Sequence, residues 1–277
     1  MSDAATRPHI RIRPARGWLG LPWGELWEFR DVLLMLALRD IKLRYKQTAL
    51  GVVWVVLQPL LAGLLFALIF GRFLRLPSDG APYLLFVFSG LTGWQLFAGI
   101  VQRASGSLVN EARLITKVYF PRILVPLASA AAVLLDFAVA CAVMALLLVF
   151  HGLRPGWEIL LLLPAAGLTV GLGTGTSLWL AALSVRYRDF IHATPFLLQV
   201  WLYGSPVVYA AAVIPASWQP VFACNPMFGI IGLFRTAWLG TGAAGPALAI
   251  GTAVAGAVLL SGLIVFRRVE QQIADRL

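Results

Sequence analysis

Long apolar stretches alternate with short polar segments along almost the whole chain. A helix that crosses the hydrocarbon layer of a membrane needs about 20 predominantly apolar residues, so each stretch of that length predicts one crossing. Six stretches qualify, at residues 52–71, 82–101, 123–150, 159–183, 194–214 and 246–266. The pattern therefore predicts an all-α integral membrane protein whose six transmembrane helices form one membrane domain over residues 52–266.

A further apolar run at residues 226–239 is too short to cross the membrane and contains Arg235. It predicts a short re-entrant or interfacial helix between the fifth and sixth spans. Within the fifth span, Gly204 and Pro206 predict a break in the helix. Irregular backbone at membrane depth is tolerated where it is buried in protein or lines a cavity, so the break points to such a site.

The segment before the first span, residues 23–51, predicts an amphipathic helix that lies in the membrane interface. Cations and Trp residues are typical of such helices. Its apolar residues recur at intervals of three and four, and they are Trp23, Leu26, Trp27, Leu34, Leu38, Ile41 and Tyr45. Two interpretations remain open: a plain surface anchor, or an anchor that also holds a phosphate-bearing substrate. The second interpretation would use the cations Arg39, Lys42, Arg44 and Lys46.

Residues 103–122, between the second and third spans, predict another short helix, with Ser107 as its N-cap and Pro121 near its end. A helix with an apolar stripe and flanking cations can dock in a groove of a soluble partner, or it can be a solvated connector. The apolar face carries Leu108, Ala112, Ile115 and Tyr119, and another face carries Asn110, Arg113 and Lys117.

The composition agrees with a membrane protein. Of the 277 residues, 60% are hydrophobic and 12% are charged. Soluble domains carry about 25% charged residues, and disordered chains are more polar still, so both classes are excluded. The three His and two Cys residues are scattered, so the sequence predicts neither a metal site nor a disulfide framework.

The distribution of charge predicts the orientation. The net charge is +10, and 18 of the 22 Lys and Arg residues lie before the first span or after the second, fourth and sixth. The positive-inside rule places these segments, and both termini, in the cytoplasm, and an odd number of spans would break the alternation. Residues 1–22 are interpreted as a flexible cytoplasmic tail and residues 267–277 as a second tail. Basic residues beside apolar spans indicate orientation and not nucleic acid binding.

The chain lacks the usual catalytic motifs. It contains no Gly-Lys pair and therefore no phosphate loop, which excludes hydrolysis of ATP by a P-loop on this chain. Motifs of zinc proteases and serine hydrolases are also absent. Asp136 is the sole acid well inside a span, which makes it a functional candidate. A lone acid is a poor proton relay, so a structural, hydrogen-bonded role is favoured.

Several strings resemble, in order and spacing, the type 2 ABC exporter permeases that move O-antigen and other polysaccharides and teichoic acids. The first is LRDIKLRYKQTALGVVWVVLQPLL at residues 38–61. The others are FSGLTGWQLF at 88–97, SLVNEARLITKVYFPRILVPL at 107–127, VRYRDF at 185–190, YGSPVVY at 203–209 and NPM at 225–227. Together these strings are distributed over most of the chain.

The resemblance implies the permease half of a transporter in the bacterial inner (cytoplasmic) membrane: a homodimer of this chain bound to two copies of a separate ABC ATPase. ATP and Mg²⁺ would bind to the ATPase, and no cofactor is expected on this chain. The helix after the second span and the loop after the fourth would couple to the ATPase. The candidate coupling residues are Leu108, Asn110, Arg113, Ile115, Lys117, Tyr119, Arg186, Arg188 and Asp189.

The resemblance also implies short helices near the outer exit, between the fifth and sixth spans, and a channel near the first and fifth spans. Aromatic rings stack on the apolar faces of sugars, and the candidate channel aromatics are Trp54, Trp201, Tyr203 and Tyr209. The leading hypothesis is export of a lipid-linked polysaccharide, such as O-antigen on a polyprenyl diphosphate, from cytoplasm to periplasm. Alternatives are teichoic acid, capsular polysaccharide or a smaller amphiphile, and, in another class, an ion-coupled carrier or intramembrane enzyme that depends on Asp136.

Overall fold

The structure, a computed structural model, describes residues 23–46, 51–242 and 245–276. Within these ranges the chain is helical and has no β-strand. The predicted N-terminal tail lies outside them. The α-helices of the described ranges are α1 (Trp23–Glu28), α2 (Arg30–Lys46), α3 (Gly51–Phe66), α4 (Tyr83–Ser105), α5 (Ser107–Asn110), α6 (Ala112–Ile115), α7 (Leu124–Phe150), α8 (Leu162–Arg186), α9 (Asp189–Tyr203), α10 (Gln219–Ala223), α11 (Pro226–Leu239) and α12 (Pro246–Arg276).

Five helical segments of the described chain are long and apolar enough to cross a membrane. They are Val53–Phe73, Tyr83–Ser105, Leu124–Phe150, Trp157–Arg186 and Pro246–Glu270. The first joins α3 to a π-helical turn, and the fourth joins a 3₁₀ turn to α8. These segments coincide with five of the six predicted spans, so the prediction of an all-α integral membrane protein is confirmed at this level. The last helix, α12, continues through residues 267–276 of the predicted tail.

The remaining predicted span, residues 194–214, is not one continuous helix. Its helical part, α9, has 15 residues and ends at Tyr203, and Gly204 follows as its C-cap. At 1.5 Å per residue α9 is about 22 Å long, shorter than the hydrocarbon core. The chain then runs without helix to Ala210. The break therefore lies at the predicted position.

The short helix α11 matches the predicted run at 226–239. Asn225 caps it, because the Asn225 side chain accepts a hydrogen bond of 3.0 Å from the backbone N–H of Met227. Pro226 suits the first helical position, where no backbone donor is needed. Gly240 ends the helix with a φ of +66°, a left-handed conformation that glycine adopts readily.

Helix α4 is the centre of the bundle. In the most apolar 18-residue stretch of α4, 78% of the residues are buried. The corresponding share is 17% in the first span and in α12. Large side chains such as Phe86, Phe88 and Phe97 are fully buried there. Gly93 of α4 lies directly against the Phe234 ring of α11, where a Cβ atom would be 2.5 Å from the ring. The short helix α11 thus packs on the central helix.

A second hydrophobic cluster forms at the end of the bundle where α4 and α8 end and α7 begins. We call this end of the bundle the α2 end. Leu36 and Ala37 of α2 pack there with Leu108, Leu124 and Phe266. Trp27, Leu34 and Leu38 of the predicted apolar stripe are instead exposed, and the side chains of Trp23, Leu26 and Tyr45 lie outside the described part. The predicted amphipathic segment therefore forms two helices, α1 and α2. Helix α2 carries apolar side chains on two sides: one side packs against the bundle, and the other is exposed.

Small residues bring α8 and α12 together. A Cβ atom at Gly175 would lie 2.5 Å from Leu259 Cα, and one at Gly262 would lie 2.4 Å from Gly175 O. The backbones of these two helices are therefore in direct contact, as is common in membrane bundles. Gly167, by contrast, has no neighbour within 4 Å of a built Cβ.

Candidate functional site

The segment between α4 and α7 forms part of the α2 end. It folds as two short helices, α5 and α6, interrupted at Glu111. Leu108 and Ile115 are buried against the chain's own helices, since the apolar side of this segment covers the second cluster. Asn110, Arg113, Lys117 and Tyr119 are exposed. Of the predicted coupling residues on this segment, Leu108 and Ile115 therefore pack inside the chain, and the other four remain accessible.

The loop after α8 lies beside this segment. Arg186, Tyr187, Arg188 and Asp189 are all exposed, and the Arg186 guanidinium lies 5.3 Å from the centre of the Tyr187 ring. A Cβ atom at Gly106, which precedes α5, would lie 3.7 Å from Ile191 of α9. The two segments predicted to face a partner therefore meet at one end of the bundle.

An ion pair joins α2 to the α5–α6 segment. The Arg39 guanidinium donates to both carboxylate oxygens of Glu111, at 2.6 and 3.1 Å, and to Asp40 at 2.9 Å. Burial lowers the pKa of Arg39, but the hydrogen bonds to Asp40 and Glu111 outweigh this effect and raise it above its ordinary value. Ser129 of α7 donates to Asp40 at 3.3 Å. Arg39 thus connects α2 with α5 and α6.

The other predicted phosphate-binding cations have different surroundings. Arg44 donates to Asp136 of α7, and Lys42 is exposed. The side chain of Lys46 lies outside the described part of the chain. Asp136 is therefore paired with a cation of α2, as the favoured structural interpretation expects, although its partner is an arginine 92 residues away.

The predicted channel aromatics divide into two pairs. Trp54 and Tyr203 are exposed, on α3 and at the end of α9. Trp201 is half-buried, packs edge-on against Phe97 with 4.9 Å between ring centroids, and donates to the Asn225 side chain at 2.9 Å. Tyr209 donates through its hydroxyl to Tyr203 O at 3.1 Å. The first pair offers open ring faces, whereas Trp201 and Tyr209 hold the local structure.

The non-helical segment after α9, residues 204–210, is held by side chains that sequence reasoning missed. Arg235 of α11 is only 3% exposed and donates to the carbonyl oxygens of Pro206 and Val207 at 2.5 and 2.9 Å, and to Tyr209 O at 3.4 Å. Its guanidinium also lies 3.7 Å from the centre of the Phe86 ring. Residues 205–208 and 210 of this segment are buried, so these carbonyl groups need partners.

Two further residues complete this arrangement, which we call the carbonyl clamp. Asn225 donates to Gly204 O at 3.0 Å and to the Ser205 hydroxyl at 2.9 Å. Tyr83 of α4 donates to Val208 O at 2.5 Å. The sequence signals were weak: an Asn before a Pro, and one arginine in an apolar run. Neither signal identifies the backbone groups that are bound.

Comparison with known proteins assigns the chain to a family. The sequence profile of ABC-2 type transporters matches residues 31–239, from the start of α2 to the end of α11. The chain belongs to the ABC-2 type transporter family. The resemblance noted in the sequence strings is thus confirmed. The α5–α6 segment, the loop after α8, the exposed aromatics and the carbonyl clamp of this ABC-2 family chain all lie within the matched range.

Relatives of this ABC-2 family chain carry consistent names. The O-antigen export system permease protein RfbA of Myxococcus xanthus is 29% identical over 209 residues, which cover 75% of this chain and 80% of that protein. Two O-antigen export system permease proteins RfbA of Klebsiella pneumoniae are each 28% identical over 202 residues, which cover 73% of this chain and 77% of theirs.

Proposed function

We propose that this chain is the membrane permease subunit of an ATP-driven exporter that moves lipid-linked polysaccharide of the O-antigen type from cytoplasm to periplasm. The observation that carries the proposal is membership of the ABC-2 family together with relatives named as O-antigen export permeases. The five membrane-length helices support a passage through lipid. Because the chain has no phosphate loop, the proposal assigns ATP and Mg²⁺ to a separate ATPase subunit.

Deletion of the gene tests the proposal. The deletion strain should accumulate lipid-linked polymer on the cytoplasmic side and lose it from the cell surface, and a plasmid copy of the gene should restore both. Surface polymer is measured with an O-antigen antibody on intact cells, and lipid-linked polymer by extraction of membranes. Normal surface polymer in the deletion strain would reject the function.

The exposed cations at the α2 end are proposed as the ATPase-binding surface. Charge reversal by Arg113→Glu with Lys117→Glu should reduce co-purification of the ATPase and leave membrane insertion intact, because both side chains are exposed and need no internal partner. Arg72→Glu with Arg75→Glu, at the opposite end of the bundle, is the matched control. Equal amounts of ATPase with both double variants would count against this surface.

Six membrane crossings with both termini in the cytoplasm are proposed on the charge distribution. The additional crossing would consist of α9, about 22 Å long, continued by the 204–210 segment. Single cysteines in a background with Cys141→Ser and Cys224→Ser test this topology. An impermeant maleimide applied to intact spheroplasts should label Arg154→Cys and not Arg188→Cys, and the opposite labelling would refute the orientation.

The open faces of α3 and α9 are proposed to meet a second copy of the chain and to line the path of the sugar polymer. Trp54 and Tyr203 expose aromatic rings on these faces, and rings suit the apolar faces of sugars. Trp54→Ala should lower export while the complex still assembles, and Trp54→Phe should retain export. Trp157→Ala, which removes an exposed ring at the opposite end of the bundle, is the control. Equal effects of the two alanine variants would contradict a role for Trp54 in the path.

A further inference from the structure

One nitrogen atom of Arg235 holds three carbonyl groups of the segment after α9. This atom, Nη2, lies 2.5, 2.9 and 3.4 Å from the carbonyl oxygens of Pro206, Val207 and Tyr209. An Nη nitrogen carries two hydrogen atoms, so it has fewer donors than the three oxygen atoms around it. Nε of the same side chain is buried and has no hydrogen-bond partner among the described residues. The carbonyl oxygens therefore surround a point of positive charge and do not match the donors of a guanidinium group one by one.

Helix α4 completes the surroundings of this charge. The guanidinium carbon of Arg235 lies 3.7 Å from the centre of the Phe86 ring, and the face of an aromatic ring attracts cations. One turn further along α4, a Cβ atom at Gly90 would lie 3.0 Å from the carbonyl oxygen of Val207. Glycine at this position thus lets the carbonyl group approach the helix closely. Three carbonyl dipoles and one ring therefore face the same cation.

No carboxylate of the described residues forms an ion pair with Arg235. In the sequence, residues 190–234 contain no Asp, Glu, Lys or Arg. The Arg235 side chain is nevertheless only 3% exposed. Burying a charge is costly unless polar groups compensate it, so the carbonyl dipoles and the ring supply the compensation. Helix α9 adds to it, because it ends at Tyr203 and the C-terminal end of a helix carries a partial negative charge.

We propose that the three carbonyl oxygens and the Phe86 ring form a site for a monovalent cation, which Arg235 fills permanently with its own guanidinium group. Unwound backbone carbonyl groups at a broken membrane helix are the groups that bind Na⁺ in ion-coupled carriers. Here a cation tethered to α11 takes that position. The break after α9 therefore needs no dissolved ion for its stability, and a gradient of Na⁺ or K⁺ has no vacant site there through which it could drive transport.

Chemical rescue of Arg235→Ala tests the site in the purified full-length chain. Alanine removes the tethered cation and leaves its space open, so added methylguanidinium should bind there. The variant is titrated with methylguanidinium chloride up to about 50 mM, where denaturation by the additive is small. At about ten times its dissociation constant the ligand should raise the Tm by about 3–5 °C, measured by tryptophan fluorescence in neutral detergent. The wild type, whose site is filled, should not respond. An unchanged Tm of Arg235→Ala over the whole titration would overturn the proposal.

Matched ligands and variants separate charge from shape. Urea has nearly the shape of guanidinium without its charge, and choline carries the charge on a bulkier group, so neither should raise the Tm of Arg235→Ala. Arg235→Met fills the space with an apolar side chain, and Arg72→Ala removes an exposed arginine, so neither variant should respond to methylguanidinium. Stabilisation of Arg235→Ala by urea, or of Arg235→Met by methylguanidinium, to the same extent would show a non-specific effect and overturn the site.

Two further measurements keep the test decisive. If Arg235→Ala does not fold unaided, methylguanidinium during solubilisation should restore the yield of monodisperse protein in size-exclusion chromatography, and urea should not; failure to restore the yield would overturn the site. The Tm of the wild type should be the same in NaCl, KCl and choline chloride at equal ionic strength. Stabilisation by Na⁺ or K⁺ would show that a dissolved ion binds and would contradict a site filled by Arg235. Neither ATPase nor cargo is needed, so failure of the site would leave the proposed export function standing.

Discussion

Replacement of Arg235 by Met should destabilise the chain through the carbonyl clamp. Arg235 is buried, and its guanidinium donates to the carbonyl oxygens of Pro206, Val207 and Tyr209. Methionine has a similar length and no donor, so the apolar contact with Phe86 is largely kept while the three acceptors lose their partner. The backbone of the 204–210 segment cannot pair these groups itself, because it is neither helix nor strand.

The magnitude follows from the bonds that are lost. Leaving a buried acceptor unpaired costs about 1–3 kcal/mol, and the bonds to Pro206 and Val207, at 2.5 and 2.9 Å, are the two short ones. The gross loss is therefore about 2–6 kcal/mol. The variant also no longer buries a charge, so the free energy of unfolding should fall by about 2–3 kcal/mol. For a chain of this size that corresponds to a decrease in Tm of about 4–12 °C.

Intrinsic tryptophan fluorescence of the purified chain in detergent, recorded during heating, measures this change. Arg72→Met, which removes an exposed arginine at the same end of the bundle, is the matched control and should leave the Tm unchanged. Arg235→Lys should fall between the two, since an ammonium group can still donate to one or two carbonyl oxygens. If Arg235→Met melts at the temperature of the Arg72→Met control, the carbonyl clamp does not stabilise the fold and the reasoning is refuted.

Three further experiments have expected outcomes in the same melting assay. Gly175→Ala should lower the Tm by several degrees because its Cβ would lie 2.5 Å from the backbone of α12, whereas Gly167→Ala should be neutral; equal effects would contradict close contact of α8 and α12. Asn225→Ala should cost about 2 kcal/mol by removing a helix cap and two donated hydrogen bonds, and a neutral result would exclude its role in the clamp. A double-mutant cycle of Arg39→Gln and Glu111→Gln should give a coupling energy of about 1 kcal/mol, as expected for a bidentate pair that is partly exposed; additive effects would show that the pair contributes nothing.

The membrane-length helices could be predicted from sequence because the bilayer imposes the rule. A crossing helix needs a certain length and apolar composition whatever its neighbours are, and five predicted spans have helices in the structure. The break after Tyr203 was also predictable, since Gly204 and Pro206 disfavour a helix locally. These features depend on residues that are adjacent in the chain.

The candidate site was predicted less well because its contacts are distant in sequence. Periodicity placed Leu108 and Ile115 on an apolar face, but it could not show that the chain's own helices cover that face. The partner of Asp136 is 92 residues away, and the carbonyl groups bound by Arg235 are 26 to 29 residues away. No local pattern identifies such partners, so their roles emerge only from the packed structure.

Two ion pairs, little more than one helical turn apart on α2, connect this helix to other helices of the chain. Arg39 binds Glu111 in the segment proposed to contact the ATPase, and Arg44 binds Asp136 of α7. A helix is stiff over five residues, so this part of α2 moves as one rigid unit. A shift of α7 relative to α2 would therefore be transmitted through Arg39 to Glu111, so the two ion pairs couple the position of α7 to that of the α5–α6 segment.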